Sequence, residues 1–151
     1  MSRRLRCGGM RVVVDTSVWS LALRRRVGAL AGAERVLVLH WRELVRDGRA
    51  VLIGAVRQEL LSGVPDREPF ERLRHYLRGF QDEPLMADDY EEAGRFHNVC
   101  RTAGVAGSPT DFLICATAVG RGISIFTSDP DFRRYALHLP VTLYTGSGKA
   151  Y

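Results

Sequence analysis

The chain of 151 residues is 46% hydrophobic, which predicts a single globular domain with a core of its own. Its net charge of +5 favours an acidic partner such as nucleic acid, although a genomic bias toward arginine explains the charge equally well. Its three cysteines form no C-x-x-C pair, which argues against a disulfide framework or a zinc site and suits a reducing cytoplasm, and no apolar run is long enough to cross a membrane.

The two ends of the chain differ from its middle. The first nine residues are basic and are not followed by the apolar segment of a signal peptide. The last six residues, GSGKAY, are small or polar for the most part. We therefore expect a flexible leader over 1–9, one domain over 10–145 and a flexible tail over 146–151.

Short apolar runs alternate with longer segments whose apolar residues recur at helical spacing. The predicted strands are 12–14, 50–53 and 123–126, with two further candidates at 83–86 and 140–144. The predicted helices are 16–23, 33–47, 55–62, 67–79, 88–103 and 109–119. This alternation predicts a mostly parallel sheet covered by helices on both faces, which is a three-layer α/β/α domain.

Four acidic residues fall where such a sheet binds ligands, at the carboxyl ends of its strands. Asp15 directly follows the first strand, and Asp129 follows the strand over 123–126. Asp111 opens the helix that leads into that strand, and Glu59 lies within the helix over 55–62. By the direction of the chain, Asp15, Asp111 and Asp129 can lie at one edge of the sheet. Glu59, at the boundary of the apolar face of its helix, can point across the same edge.

Each of these acids also has a simpler structural explanation. Asp15 fits a cap of the first helix, and Asp111 fits the third position of a capping box. Asp129 fits a helix cap, Asp131 fits a carboxylate beside a helix dipole, and Glu59 fits an exposed surface position. Taken singly, the structural explanation is the better one; the four acids together favour a shared site.

A cluster of carboxylates has an electrostatic consequence. Two like charges about 4 Å apart repel by roughly 4 kcal/mol at an effective dielectric constant near 20. Such a cluster therefore holds protons or binds a cation, and ligands that are all oxygen favour Mg²⁺ or Mn²⁺. Either ion can bridge to phosphate oxygens and activate a water for in-line attack.

Four motifs in this order resemble those of PIN-domain endoribonucleases, and most closely the VapC toxins of type II toxin–antitoxin pairs. VVVDTSVW resembles the first motif and supplies Asp15, and VRQELLSG resembles the second and supplies Glu59. DFLICATAVGRG and TSDPDF resemble the third and fourth, and they supply Asp111 and Asp129. The resemblance covers residues 10–144, and the order and spacing of all four motifs carry it.

The resemblance implies a ribonuclease that uses Mg²⁺ or Mn²⁺ and leaves a 5′-phosphate and a 3′-hydroxyl. Asp15 and Asp111 would be the principal metal ligands, and Glu59 and Asp129 would complete the acidic pocket. It further implies a homodimer and a VapB-type antitoxin that blocks the site. The residues expected to support the site are Thr16, Ser17, Thr127 and Asp131. Cys115 departs from the family pattern, which has alanine there, but a small side chain still fits.

Other functional classes fit the sequence less well. A haloacid-dehalogenase-like phosphatase needs a second Asp two residues after Asp15, where this chain has Ser17. A receiver domain needs a lysine after a late strand, and the only lysine is Lys149 in the tail. The remaining alternative is a non-catalytic PIN module, or a solitary one without an antitoxin. The presence of all four acids favours the enzyme.

Overall fold

A computed structural model of the protein describes residues 9–24 and 27–146. The predicted leader up to residue 8 and the predicted tail from residue 147 lie outside the described residues. Within the described ranges, no helix is both long enough and apolar enough to span a membrane.

A parallel sheet of three short strands lies at the centre of the fold, with β1 in the middle. The strands are β1 (Val12–Val14), β2 (Ala50–Val51) and β3 (Ser124–Phe126). Every side chain of β1 is buried, as expected for a central strand with both faces covered. The α/β class and the parallel sheet predicted from the sequence are confirmed.

Seven α-helices and one short 3₁₀-helix surround this sheet in the described part of the chain. The helices are α1 (Thr16–Arg24), α2 (Gly32–Arg46), α3 (Gly54–Ser62), α4 (Arg67–Leu77), α5 (Ala87–Thr102), α6 (Pro109–Arg121) and α7 (Asp131–Tyr135), and the 3₁₀-helix is Val27–Ala29. The six predicted helices are confirmed as α1 to α6, with ends that differ by a few residues.

Two of the predicted strands do not form. Residues 140–144 meet the sheet only through an isolated bridge, Ile125 to Leu143. The bridge nearest to 83–86 joins Leu52 to Asp82, one residue before that segment. Both segments contain a proline, which cannot donate a ladder hydrogen bond, and this limits further pairing. The predicted strand over 50–53 is also shorter, because Ile53 is already the residue that precedes α3.

The pairing of β1 with β3 determines the positions of the residues that follow these two strands. Val14 lies opposite Phe126 in register, and the Asp15 amide donates to the Phe126 carbonyl at 2.8 Å. Asp15 and Thr127 are therefore the first residues past two adjacent strands. Their side chains meet at the carboxyl edge of the sheet.

Helix α6 connects that edge to the opposite one. Ser108 caps its start by accepting from the Asp111 amide at 3.2 Å, and Gly122 ends it with a left-handed φ of 61°. The buried residues of α6 extend around most of its circumference, as predicted from its all-apolar sequence. The packing of α6 against α5, β1 and β3 fixes the position of its first turn.

Candidate active site

Asp15 is the most buried acid of the site, with 4% of its surface exposed. One of its carboxylate oxygens, Oδ2, accepts a hydrogen bond from the Ser17 hydroxyl at 2.7 Å and another from the Thr127 hydroxyl at 2.8 Å. Ser17 belongs to α1 and Thr127 follows β3. Two segments that are distant in sequence therefore hold one carboxylate.

Burial raises the pKa of Asp15 above the ordinary value of 3.8, because water is removed from the charged form. The hydrogen bonds from Ser17 and Thr127 oppose this shift, since they favour the carboxylate. The negative charge of Asp111 raises the pKa of Asp15 further. Among the described residues, none of the interactions that shift this pKa comes from a basic group.

Asp111 lies in the first turn of α6, as both its structural and its functional interpretation required. Its amide donates to the Ser108 hydroxyl, so half of the predicted capping box is confirmed, but the reciprocal bond from the Ser108 amide to the Asp111 carboxylate does not form. Its carboxylate performs a separate task, because Oδ2 accepts a hydrogen bond from the Tyr135 hydroxyl at 2.7 Å. One residue thus serves the helix through its backbone and the site through its side chain.

The TSDPDF segment is a tight loop built from its own hydroxyl and carboxylate groups. The Thr127 hydroxyl accepts from the Asp129 amide at 2.9 Å, and Asp129 Oδ1 accepts from the Asp131 amide at 2.9 Å. The Ser17 hydroxyl accepts from the Ser128 amide at 3.0 Å, which ties the loop to α1. Asp131 instead forms an exposed ion pair with Arg134 at 3.4 Å.

Two residues predicted for the site are not tied into it. Glu59 is exposed on α3, and its side chain forms no hydrogen bond or ion pair with any described residue. Thr16 follows Asp15, but its hydroxyl is buried without a hydrogen-bond partner among the described residues. The structure therefore brings together Asp15, Asp111 and the TSDPDF loop and leaves Glu59 outside this hydrogen-bonded group.

Tyr135 is a site residue that sequence reasoning missed. It is fully buried on α7, and its hydroxyl donates to Asp111. Burial and the bond to Asp111 raise the pKa of Tyr135, so the hydroxyl stays protonated and remains a donor. The available signal was its spacing from Phe132, which places both aromatic rings on the inner face of α7.

Gly107 makes the contact between Tyr135 and Asp111 possible. A Cβ atom at this position would lie 2.6 Å from the Tyr135 hydroxyl and 2.8 Å from the Phe112 ring. Any larger residue would therefore displace the two aromatic side chains.

Cys115, one turn after Asp111, is also buried, and burial together with the charges of Asp111 and Asp15 raises the pKa of its thiol. The thiol stays neutral and acts as a small apolar side chain.

The chemistry of these side chains determines which ion they can hold. In the part of the chain that the structure describes, no group of three or more His, Cys, Asp or Glu side chains is arranged as a metal site. Mg²⁺, however, is usually bound by one or two carboxylates, with waters and substrate phosphate completing its coordination. Asp15 and Asp111, whose charges act on each other, fit an ion held in this way.

The family model that describes the PIN domain matches residues 12–137. Among solved structures, FitAcB from Neisseria gonorrhoeae is similar with a TM-score of 0.68 and 18% identity, over 89% of this chain and 97% of the other. VapBC2 from Rickettsia felis, bound to a DNA fragment from its promoter, has a TM-score of 0.61 and 16% identity, over 83% and 92%. These structures share the fold, and no curated protein matches at a significant level.

Proposed function

This chain belongs to the PIN domain family, and from that premise we propose that it is a metal-dependent endoribonuclease. It hydrolyses RNA phosphodiester bonds in the cytoplasm and is the toxin of a type II toxin–antitoxin pair. The observation that carries the proposal is the buried Asp15 beside Asp111 at the carboxyl edge of the sheet, without a basic partner among the described residues. Such an arrangement costs stability unless it serves a cation.

Asp15 and Asp111 would hold Mg²⁺ or Mn²⁺ directly, and Asp129 and Glu59 would act through water. When bound, the metal supplies positive charge for the phosphate and a more acidic water. The Ser17 and Thr127 hydroxyls orient Asp15 and favour its ionised form, because both donate to the same oxygen.

The remaining contacts of the site position the other two acids. Tyr135 fixes the Asp111 carboxylate by donating to it at 2.7 Å. Asp129 is held in place because its own side chain accepts a hydrogen bond from the Asp131 amide. These residues position acids rather than react, since none of the contacts involves a group that must change its protonation state.

The partner that we propose is a VapB-type antitoxin, with the toxin itself a homodimer. The motifs that resemble those of VapC toxins support this, and one of the similar structures is named VapBC2. Light scattering of the purified chain, alone and with the protein encoded by the neighbouring reading frame, tests both assemblies. A solitary PIN enzyme would bind no such protein, and a non-catalytic module would bind RNA without cutting it.

The direct test is cleavage of RNA by the full chain in Mg²⁺ or Mn²⁺. We expect Asp15→Asn and Asp111→Asn each to reduce the rate by at least about 100-fold, which is about 2.7 kcal/mol of barrier. Asp47→Asn is the matched control, because Asp47 is an exposed acid after the last turn of α2. Wild-type protein that leaves every RNA intact, or variants that cut as fast as the control, would contradict the proposal.

A further inference from the structure

A second concave feature adjoins the acidic edge on the side of the TSDPDF loop. It is a cavity of about 670 Å³, and it shares the loop residues Thr127, Ser128 and Asp129 with the site. Its far wall is formed by α2, α7 and the segment after the bridge at Leu143. A cavity of this size is in the range that holds a nucleotide-sized ligand.

One wall of the cavity is aromatic. The rings of Phe126 and Tyr144 meet edge to face with centroids 5.2 Å apart, and the His40 ring lies 6.5 Å from Phe126. Phe126 is buried, whereas Tyr144 and His40 retain partial exposure toward the cavity that they line. Flat rings that keep an open face are the usual platform for an unstacked base.

The position of His40 is fixed by the chain that passes over it. Gly146 has a left-handed φ of 82°, and a Cβ atom there would collide with the His40 ring. The close approach of a glycine backbone therefore holds the segment that carries Tyr144 against α2. Tyr144 is also anchored through its amide, which donates to the Ile125 carbonyl at 2.7 Å.

The cavity is also lined by a cation that no described residue neutralises. Arg133 lines the cavity from α7, and its guanidinium forms no ion pair or hydrogen bond with any described residue. The neighbouring Arg134, in contrast, is paired with Asp131. An exposed, unpaired arginine beside an aromatic wall is suited to a phosphate whose base stacks nearby.

We infer that this cavity binds the single-stranded RNA nucleotide next to the scissile phosphate, with its base against Tyr144 and His40 and its phosphate on Arg133. The inference rests on the proposed function, since the shared loop residue Asp129 places the nucleotide beside the acidic edge. The cavity selects single-stranded RNA, because a base inside a duplex does not expose a face for stacking. Arg133 and Tyr144 are thus substrate-binding residues of this chain.

The test separates binding from cleavage by using a short, labelled single-stranded RNA in EDTA, with fluorescence anisotropy as the readout. Tyr144→Leu is expected to weaken binding by roughly 5- to 100-fold, the usual loss for one stacked base, and Tyr144→Phe is expected to bind like wild type. Arg133→Gln is expected to weaken binding and to make its salt dependence shallower by about one phosphate contact.

Arg46→Gln is the matched control for Arg133, because Arg46 is an exposed arginine in the last turn of α2. The neighbouring Arg49 amide and carbonyl bond to Leu44 and Val12, which places this end of α2 at the opposite edge of the sheet. We expect Arg46→Gln to bind RNA like wild type. Circular dichroism of each variant verifies that the fold is retained, and Tyr144→Phe identifies the lost ring as the cause.

Two results would overturn the inference. One is RNA binding that is the same in wild type, Arg133→Gln and Tyr144→Leu. The other is a loss confined to antitoxin binding, which would make the cavity a protein site. Cleavage decides the proposed function separately: loss of binding in the cavity variants supports the inference even if no RNA is cut. Conversely, cleavage that requires Asp15 but not Arg133 or Tyr144 supports the proposed function alone.

Discussion

Acidic side chains meet the two ends of α6 under opposite conditions. At its carboxyl end, hydrogen bonds from Arg11 and Arg121 lower the pKa of Glu83, and Arg121 lowers the pKa of Asp89. At its amino end, burial raises the pKa of Asp15 against the opposing hydrogen bonds from Ser17 and Thr127, and the charge of Asp111 raises it further. The acids of the first group have basic partners within the fold, whereas only hydroxyl groups donate to Asp15 among the described residues. The two ends of α6 therefore differ in whether a basic side chain accompanies the acids.

The largest effect should follow from removing Arg121, which pairs with the acids at the carboxyl end of α6. Arg121→Met removes the common partner of Asp89 and Glu83, both of which are mostly buried with 11% and 17% side-chain exposure. We expect a loss of about 2–3 kcal/mol in the free energy of unfolding, because Asp89 loses its charged donor and Glu83 keeps only the one from Arg11. For a chain of this length the melting temperature would fall by about 4–10 °C.

Thermal unfolding measures that loss, with Arg95→Met as the control because the Arg95 ion pair with Glu92 is exposed. Cleavage by Arg121→Met below its melting temperature should remain close to wild type. A variant that keeps its stability but loses cleavage would reverse the distinction between the two ends of α6.

The next effect concerns the contact that orients Asp111. Tyr135→Phe removes a buried donor at 2.7 Å while keeping the ring, so Asp111 remains in place but is less well oriented. We expect a loss of about 10- to 100-fold in metal affinity or in cleavage, as for other residues that orient metal ligands. Cleavage measured as a function of Mn²⁺ concentration distinguishes a loss of metal affinity from a loss of the cleavage rate at saturating metal. Tyr90→Phe, on the exposed side of α5, should change neither.

The pH dependence of stability offers a third test. Since the pKa of Asp15 is raised in the folded state, the native protein binds more protons than the unfolded chain between the ordinary pKa of 3.8 and the raised one. This contribution to stability is present at low pH and is lost as pH rises through the raised pKa. In EDTA at neutral pH, the Asp15 carboxylate therefore destabilises the fold.

Asp15→Asn should accordingly unfold at a higher temperature than wild type at neutral pH in EDTA, and this difference should shrink as the pH is lowered. Each kcal/mol gained would appear as about 2–4 °C. Mn²⁺ should raise the melting temperature of wild type more than that of Asp15→Asn. Equal melting curves for the two proteins across the pH range would show that Asp15 has a cationic partner within the fold.

The sequence predicted the part of the site that depends on chain direction. Asp15 and Thr127 follow adjacent parallel strands, so their meeting needed only the order of the elements. Tyr135 was missed because its hydroxyl reaches Asp111 through packing permitted by Gly107, and this close approach leaves no periodic signal. The composition of 83–86 and 140–144 predicts strands, whereas the only bridges there among the described residues lie at Asp82, just before the first segment, and at Leu143 within the second.

Glu59 is the residue whose importance for the site differs most between the sequence and the structure. Its replacement gives the smallest predicted effect. The motif resemblance places it with Asp15 and Asp111, but it is exposed on α3 and has no polar contact among the described residues. A carboxylate that acts through water contributes less than a direct ligand, because water screens its charge. Glu59→Gln should therefore slow RNA cleavage by less than about 10-fold, with Glu71→Gln on α4 as the exposed control. A loss as large as that of Asp15→Asn would mean that α3 moves toward the metal when RNA binds, since direct ligation requires Glu59 to leave its exposed position.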